Sequence, residues 1–469
     1  MNSKKTFRTT TGWGVALASS LVNFLILIIY QSKIGGDFPF QDEWGYVDRL
    51  IHLHQTGFFH YLFDHYQTYY QPGLFAIWYF FYKFFHLSIM AMRYTGAGIS
   101  AIVAMLICVL AIRKKERFYF SELILVALIP FVFCSLNHFA TYNQSIESII
   151  EPLLFGFIFL SCWAGQETIN SNVWKKLLWS GVIVLLALLG LSMYAPALAI
   201  ILAVVIVRVL LLRKGDITTL GLGFLGLAIG LVYSSLGGGL NHIHQLMESS
   251  LENDLIEWII LFGNAVIAIG DHKVLMHMGN PSGLSVHQIS AFMGGMVIVS
   301  TLIILMVQTI FSQVNDRMKY FIPFALSLYT FGVSFEIVLR YNDPNFGEAP
   351  RYAIHMVGGP IAILVWGILA SESLKKIKLV ILSIFFIFLG TASVFISVSE
   401  KISYVKHSFN MIRTELERIN NPITDQQQKN IFVGSALKNL VFPDLQFLRE
   451  NRLALFYNSH SAPQKHHKD

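Results

Sequence analysis

Residues 13–30 read WGVALASSLVNFLILIIY, and residues 95–112 read TGAGISAIVAMLICVLAI. Neither stretch contains a charged residue, and each is long enough as an α-helix to cross most of the roughly 30 Å hydrocarbon core of a bilayer. Backbone groups in lipid have no water to bond, so such stretches satisfy their hydrogen bonds as helices. These two stretches predict spanning helices and indicate the fold class of the whole chain.

Composition extends this prediction to all 469 residues. Hydrophobic residues make up 54% of the sequence and charged residues 13%, a balance that a water-soluble chain of this length could not cover with polar surface. The predicted fold is therefore all-α, a polytopic transmembrane helix bundle. Cys108, Cys134 and Cys162 fall inside apolar stretches, which favours buried thiols over a disulfide or a metal site.

Long apolar segments recur almost from end to end. The clear candidates for spans are 13–30, 95–112, 120–136, 145–163, 177–192, 195–212, 218–236, 288–310, 321–339, 352–369 and 379–398. Two further segments are ambiguous: 72–87 is interrupted by Lys83, and 255–269 is short and carries Glu257.

Basic clusters at 113–115, 175–176, 213–214, 317–319 and 375–378 separate the apolar segments. By the positive-inside rule all of them are cytoplasmic only if neither ambiguous segment crosses fully, which gives about 11 spans, whereas two further crossings give about 13. We expect the first arrangement, with the ambiguous segments as interfacial or re-entrant helices. The N-terminus is then cytoplasmic and the C-terminus is outside, and the net charge of +6 gives no patch for nucleic acid.

Two regions follow from this topology. Residues 1–398 are predicted to form the transmembrane domain, with a first outer loop at about 35–93 that contains interfacial helices. Residues 399–469 change to a polar and charged composition and are predicted to form a small extracytoplasmic tail.

An acidic pair, Asp42-Glu43, opens the first outer loop and is followed by Trp44. An aspartate at this position could cap a helix, with the glutamate interacting with the helix dipole and the tryptophan anchoring at the membrane interface. Alternatively, a carboxylate at the membrane surface could act as a general base towards a hydroxyl, because one face stays open to water.

Other charged residues lie near the predicted outer ends of later helices. Glu147 and Glu151 are four residues apart and face one side of a helix, where carboxylates are costly unless they face a polar cavity or a partner. Arg340 and Arg351 flank the loop between two predicted helices, where guanidinium groups could bind a lipid-linked phosphate in bidentate fashion. A helical ion pair between Glu336 and Arg340, and arginines reaching towards lipid headgroups, are the structural alternatives.

Together these motifs resemble the C-type (GT-C) glycosyltransferase superfamily. The features that carry the resemblance are Asp42-Glu43-Trp44 after the first helix, an outer amphipathic segment, Gln144 with Glu147 opening a mid-chain helix, and Arg340, Gly347 and Arg351-Tyr352 late in the chain. Within the superfamily, the chain is similar to bacterial O-antigen-modifying (serotype-converting) glucosyltransferases, over roughly residues 1–400. Many relatives carry a His-Asn-Glu-His-Arg-like run where this chain has Asp64 to Gln71, including His65, so donor and acceptor specificity are not carried over.

The resemblance implies transfer of a hexose such as glucose from a polyprenyl-phosphate-linked donor. The acceptor would be a cell-envelope polysaccharide or glycolipid, such as lipopolysaccharide, on the extracytoplasmic face of a bacterial inner membrane. Asp42 is then the expected base, and Glu43 would support it or hold a divalent cation, which some members of the superfamily use and others do not. Arg340 and Arg351 would bind the lipid phosphate.

Four further residues belong to the substrate site that the resemblance implies. Glu147 would line the cavity, Tyr352 and His65 would contact substrate, and Trp44 could stack on a sugar face. Membrane lipids would surround the bundle, and the isoprenoid would lie in grooves between helices.

Two other classes of function remain open. A lipid-linked glycan flippase or transporter would also place ionisable residues inside helices, but such proteins often show matching halves, and none is visible in this sequence. An O-antigen polymerase or ligase would be expected to carry its long polar loop late in the chain rather than after the first helix.

Overall fold

The computed structural model describes a large part of the chain. The described residues are 7–41, 43–63, 65–66, 69–70, 72–136, 142–167, 169, 194–212, 251–266, 286–341, 354–370, 378–431 and 438–457.

Helices dominate these residues. In chain order they are α1 (Thr9–Ile34), α2 (Glu43–Thr56), α3 (Phe58–Phe63), α4 (Pro72–Phe85), α5 (Ile89–Ile112), α6 (Phe120–Phe133), α7 (Glu147–Glu167), α8 (Tyr194–Leu212), α9 (Leu251–Asn264), α10 (Val286–Phe311), α11 (Val314–Lys319), α12 (Phe321–Tyr341), α13 (Gly358–Leu369), α14 (Lys378–Arg418), α15 (Asp425–Asn430) and α16 (Val441–Glu450). A 3-10 turn follows at Ala454–Phe456. Two short antiparallel pairs join β1 (Phe7–Arg8) to β4 (Arg117–Phe118) and β2 (His65–Tyr66) to β3 (Tyr69–Tyr70).

Four helices of the described chain are long and apolar enough to cross a membrane: α1, α5, α7 and the Ile289–Phe311 part of α10. Shorter apolar helices accompany them, among them α6, α13 and parts of α8 and α12. The protein is therefore mostly helical and membrane-embedded, as predicted from its composition.

The predicted spans coincide with helices wherever the structure describes them. Nine of the eleven fall on α1, α5, α6, α7, α8, α10, α12, α13 and α14, and the other two, 177–192 and 218–236, lie outside the described residues. The total of about 11 to 13 spans stays a prediction.

Helices α1 and α5 run antiparallel, and hydrogen bonds join them at both ends. The Thr9 hydroxyl donates to the Lys115 carbonyl at 2.6 Å, and the Arg93 guanidinium donates to the Gly35 carbonyl at 2.8 Å. The chain between them consequently leaves and returns at the same end of the bundle, which we call the Glu43 end. The ambiguous segment 72–87 contains α4, which has 14 residues and is shorter than a full span.

The opposite end, which we call the basic end, gathers the predicted cytoplasmic clusters that the structure describes. Lys114 pairs with Glu167 at 2.7 Å, Lys115 donates to the Ile368 carbonyl at 2.7 Å, and Gln166 donates to the Met318 carbonyl at 2.5 Å. Clusters 113–115 and 317–319 therefore share one end. The clusters at 175–176 and 213–214 lie outside the described residues.

The second ambiguous segment, 255–269, overlaps α9, which packs antiparallel along α10. A Cβ added to Gly263 would overlap the Ala291 carbonyl, and one added to Gly295 would overlap the Ile259 carbonyl. Small residues let the two backbones touch, as is common between membrane helices. With 14 residues, α9 is shorter than a full span, although it lies beside one.

The last long helix, α14, continues through the predicted boundary between residues 398 and 399. Its 41 residues extend about 60 Å, more than the roughly 40–45 Å thickness of a whole bilayer. Beyond it, α16 packs on α2, the Phe447 ring lies 6.4 Å from that of Tyr82, and Tyr457 stacks on His86 at 4.4 Å. The C-terminal residues thus pack on the part of the chain that begins with α2 and ends with α4, which we call the α2–α4 unit.

Candidate functional site

The Glu43 carboxylate joins the start of α2 to the start of α7. One oxygen accepts hydrogen bonds from the Ser145 N–H at 2.6 Å, the Ser145 hydroxyl at 2.5 Å and the Ile146 N–H at 3.2 Å. The other oxygen accepts from the Phe40 N–H at 2.8 Å. The first N–H groups of a helix have no partner within the helix and attract negative charge, which explains why this acid lies at the start of α7.

Glu43 is fully buried, and its surroundings act on its charge in opposite directions. Burial raises the pKa of the carboxyl, whereas Arg93 and the donors from Ser145, Phe40 and Ile146 favour the ionised form. With four donors on its two oxygens and no exposed surface, the carboxylate is suited to holding two helix starts together. It is poorly placed to meet a substrate.

Arg93 neutralises this end of the bundle from the first turns of α5. Its guanidinium is fully buried, and its Nη1 donates to the carbonyls of Gly35 and Gly36, both at 2.8 Å. These carbonyls follow the last turn of α1, where helices leave acceptors free. Asp37 and Glu43 are the acids that act on Arg93. Arg93 thus interacts electrostatically with two acidic residues of the first loop.

Asp37 is itself held by backbone. Its Oδ1 accepts a hydrogen bond from the Met90 N–H at 3.0 Å, at the start of α5, and lies 3.5 Å from the Ser88 hydroxyl. The segment from Gly35 to Glu43 is thus fixed at both of its acidic ends, by α5 at Asp37 and by α7 at Glu43.

A second polar link joins the first loop to α7 through two amides. The Gln144 amide lies 2.6 Å from the Gln41 amide. When its nitrogen is oriented towards Glu147, it donates to both oxygens of that carboxylate, at 2.7 and 3.2 Å. Asn143, the residue before Gln144, accepts a hydrogen bond from the Tyr30 hydroxyl of α1 at 2.8 Å. Gln41 and Glu43, the two neighbours of Asp42, therefore both contact residues 144–146.

A third link connects α7 to the residues that precede α13. The His355 Nε2 lies 3.4 Å from a Glu151 oxygen, and both side chains are about 12% exposed. His355 follows Arg351 by four residues in the sequence, and Arg351 itself lies outside the described residues. Residues 144–151 therefore contact the first loop at Gln41 and Glu43 and also contact His355, three residues after the late motif ends at Tyr352.

The predicted site residues are described to different extents. Asp42, Arg351 and Tyr352 lie outside the described residues. Arg340 lies in the last turn of α12 and His65 in β2, where it pairs with Tyr70, but their side chains are outside the described part. Glu147 lies in the first turn of α7, half-buried beside Gln144. Trp44 is buried, with 1% of its surface exposed, so its face is not open to a sugar.

Three residues that sequence reasoning did not single out belong to this site: Arg93, His355 and Phe409. Arg93 could have been predicted from the sequence, because a charged residue in the first turns of a 24-residue apolar helix requires a polar or charged partner. Phe409 lies in the polar tail, and its ring packs on Phe38 and Phe40 of the first loop. His355 lies among apolar residues and contacts Glu151 of α7. Neither residue belongs to a sequence pattern that predicts these contacts.

The described residues contain no cluster of side chains that could bind a metal ion. Across those residues, no group of three or more His, Cys, Asp and Glu side chains lies close enough to hold an ion. Cys108, Cys134 and Cys162 are buried free thiols, as predicted.

Fold and site together define a helical membrane protein that gathers buried acids and an arginine at the end of its bundle opposite the basic clusters. Comparison with protein-family models, with curated proteins and with solved structures finds no match for the chain.

Proposed function

We propose that the protein is a glycosyltransferase of the GT-C type. It transfers a hexose, such as glucose, from a polyprenyl-phosphate-linked donor to a cell-envelope polysaccharide or glycolipid, such as lipopolysaccharide. In this proposal the Glu43 end of the bundle faces the extracytoplasmic side of a bacterial inner membrane. The basic end faces the cytoplasm, in agreement with the positive-inside rule.

One observation supports the proposal: residues 144–151 contact the two chain neighbours of Asp42, and they also contact His355, four residues after Arg351. The Glu43 carboxylate and the Gln41 amide bond residues 144–146, and Glu151 pairs with His355 beside the loop of Arg351. A transferase needs a base for the acceptor and cations for the leaving phosphate near one another. A purely structural membrane protein does not require this convergence of acids and a histidine.

In the proposed reaction, Asp42 takes the proton of an acceptor hydroxyl. The hydroxyl oxygen then attacks the anomeric carbon of the donor, and the bond from that carbon to the phosphate oxygen breaks. Arg340 and Arg351 stabilise the negative charge of the departing phosphate, with Tyr352 beside them. Glu147 and His65 line the acceptor side, and the isoprenoid lies in lipid-facing grooves.

Glu43 has a different role in this proposal. One of its oxygens accepts three hydrogen bonds and the other accepts one, and the side chain is fully buried, so it presents no surface to a substrate hydroxyl. We assign it the positioning of Asp42, its neighbour in the chain. The buried Trp44 likewise belongs to packing rather than to sugar binding.

The test is transfer of radiolabelled sugar from polyprenyl-phosphate sugar to envelope glycan in membranes that contain the wild type or Asp42→Asn. Loss of a general base typically lowers the rate about 10² to 10⁴-fold, and that is the expected effect. Asp425→Asn is the matched control, because Asp425 is an exposed residue of the tail whose partner is Lys438. Its expected rate equals that of the wild type.

Two other outcomes would contradict parts of the proposal. Transfer that survives Asp42→Asn removes Asp42 from the mechanism. If no sugar donor supports transfer by the wild type, the glycosyltransferase proposal fails, and movement of a lipid-linked glycan across the bilayer becomes the activity to measure.

Orientation has a separate test. A single cysteine at Lys114, which is 64% exposed at the basic end, should be shielded from an impermeant thiol reagent in intact cells. Labelling from outside would place the Glu43 end in the cytoplasm and would contradict an extracytoplasmic reaction.

A further inference from the structure

Phe409 of α14 packs on the beginning of the first loop. Phe409 of α14 is buried, and its ring centroid lies 5.4 Å from that of Phe38 and 5.2 Å from that of Phe40. Gly36 faces the same ring. It has a φ of +86°, and a side chain there would collide with Phe409. Three residues of the segment that leads to Glu43 therefore pack on one residue of the tail.

The same ring also covers Arg93. The guanidinium carbon lies 5.0 Å from the Phe409 ring centroid, within the range of a cation–π interaction. Its Nε and Nη2 have no hydrogen-bond partner in the described part of the chain, so the face of the ring is the main contact on that side. Desolvated contacts of this kind are stronger than exposed ones.

We propose that Phe409 and Arg93 are positioning residues of the candidate site, and that the tail beyond residue 398 is one of its parts. Phe409 holds Phe40, the Phe40 N–H bonds Glu43, and Glu43 bonds the start of α7. Arg93 holds the carbonyls of Gly35 and Gly36 at the other end of the same segment. For its effect on catalysis, the inference rests on the proposed glycosyl transfer.

The packing of the rest of the tail agrees with this role. The Ala454 N–H donates to the His86 carbonyl at 3.0 Å, and Tyr457 stacks on the His86 ring. The C-terminal residues thus contact the first loop region near its beginning, at Gly36, and near its end, at His86. Contacts at both positions restrict movement of the first loop relative to the tail.

The experiment compares Phe409→Leu, Phe409→Trp and Arg93→Lys with the wild type. Leucine keeps an apolar side chain but removes the ring, tryptophan keeps a ring, and lysine keeps the charge without the flat guanidinium. Met411→Ala is the matched control, because Met411 is an exposed residue two positions further along α14.

The first readout is hydrogen–deuterium exchange of peptides that cover residues 36–43, because it needs no activity. We expect Phe409→Leu and Arg93→Lys to speed exchange about tenfold, and Phe409→Trp and Met411→Ala to leave it near the wild-type rate. The second readout is transfer kinetics, in which Phe409→Leu should lower kcat about three- to thirtyfold with the KM for the donor unchanged.

Unchanged exchange in Phe409→Leu would overturn the inference, whatever the activity. Equal loss in Phe409→Leu and Phe409→Trp would also overturn it, because the ring would then have no special role. A wild type without transfer counts against the glycosyltransferase proposal alone, since the exchange comparison still decides whether the tail positions the loop.

Discussion

The two ends of the helix bundle hold charges in different ways. At the Glu43 end, Glu43 and Arg93 are fully buried, and backbone N–H groups and carbonyls of helix ends bind them. At the basic end, Arg113 and Lys114 pair with Glu167 through side chains, and Glu167 and Lys114 are about 32% and 64% exposed. Lys115, also at the basic end, differs from this cluster because it donates to the buried Glu122 and to the Ile368 carbonyl, so the contrast is between Glu43 with Arg93 and the cluster around Glu167.

This difference bears on function. Catalytic sites need groups that are oriented before the substrate arrives, whereas charged residues that set membrane orientation need only be numerous and wet. In the proposed function, the buried Glu43 and Arg93 belong to the candidate site, and the exposed cluster around Glu167 belongs to the cytoplasmic face.

The largest expected effect is the loss of the Glu43 carboxylate. Glu43→Ala leaves Arg93 with one acidic partner fewer and leaves the Ser145 and Ile146 N–H groups buried without an acceptor. Each buried donor left without an acceptor costs about 1 to 3 kcal/mol, so we expect a loss of about 3 to 5 kcal/mol of stability. Thermal unfolding in detergent measures the effect, and Glu43→Gln should cost less because an amide oxygen can replace one acceptor. A midpoint equal to that of the wild type in both variants would refute the special status of this end.

The second prediction concerns Asp444, a buried acid near the same end of the bundle whose carboxyl group accepts no hydrogen bond from the described residues. Neither oxygen of Asp444 has a hydrogen-bond partner in the described part of the chain, and burial, with a smaller effect from Asp48, raises its pKa from 3.8 to about 9. Because the folded state holds this proton more tightly than the unfolded state, docking of α16 is most stable below pH 4. Its stability falls as the pH rises towards 9, by at most about 1.4 kcal/mol per pH unit.

Asp444→Asn tests this directly. The variant has no proton to lose, so its unfolding midpoint should decline less than that of the wild type between pH 6 and pH 9. Parallel decline in both proteins would show that another group is responsible. The comparison with Glu43 is informative because both acids are buried, but only Glu43 has donors that favour its charge.

The smallest effect is expected at the basic end. Glu167→Gln removes the partner of Arg113 and Lys114 where all three side chains reach water, and such pairs contribute about 0 to 1 kcal/mol. The unfolding midpoint should fall only slightly, and added salt should reduce the difference from the wild type further. A loss as large as that of Glu43→Ala would remove the contrast between the ends.

Elements that depend on local sequence patterns, such as apolar helices and basic clusters, could be predicted from the sequence. The apolar runs at 13–30 and 95–112 coincide with α1 and α5, because lipid forces long uncharged segments into helices whatever their neighbours are. Basic clusters 113–115 and 317–319 share one end, as the positive-inside rule requires. Residues 43 and 147 were recognised as acids at helix starts, since such positions have a characteristic composition.

Contacts between distant segments could not be predicted from the same patterns. The partners of Glu43 lie 102 and 103 residues away in sequence, and Phe409 meets residues near the beginning of the chain. The residue types of Ser145 and Ile146 do not predict that a distant carboxylate accepts hydrogen bonds from their N–H groups. For the same reason, the polar composition of the tail did not predict that α16 and Tyr457 would pack on α2, Tyr82 and His86.

The contact between Phe409 and the first loop can form only late in the synthesis of the chain. A ribosome that adds about 5 to 20 residues per second needs tens of seconds to pass from Glu43 to Phe409. During that interval the segment at Gly36 lacks the ring that covers it, although α1 and α5 have already been synthesised. The loop thus assumes its final arrangement only when nearly all of the membrane helices are in place, and an incompletely synthesised chain has no finished site.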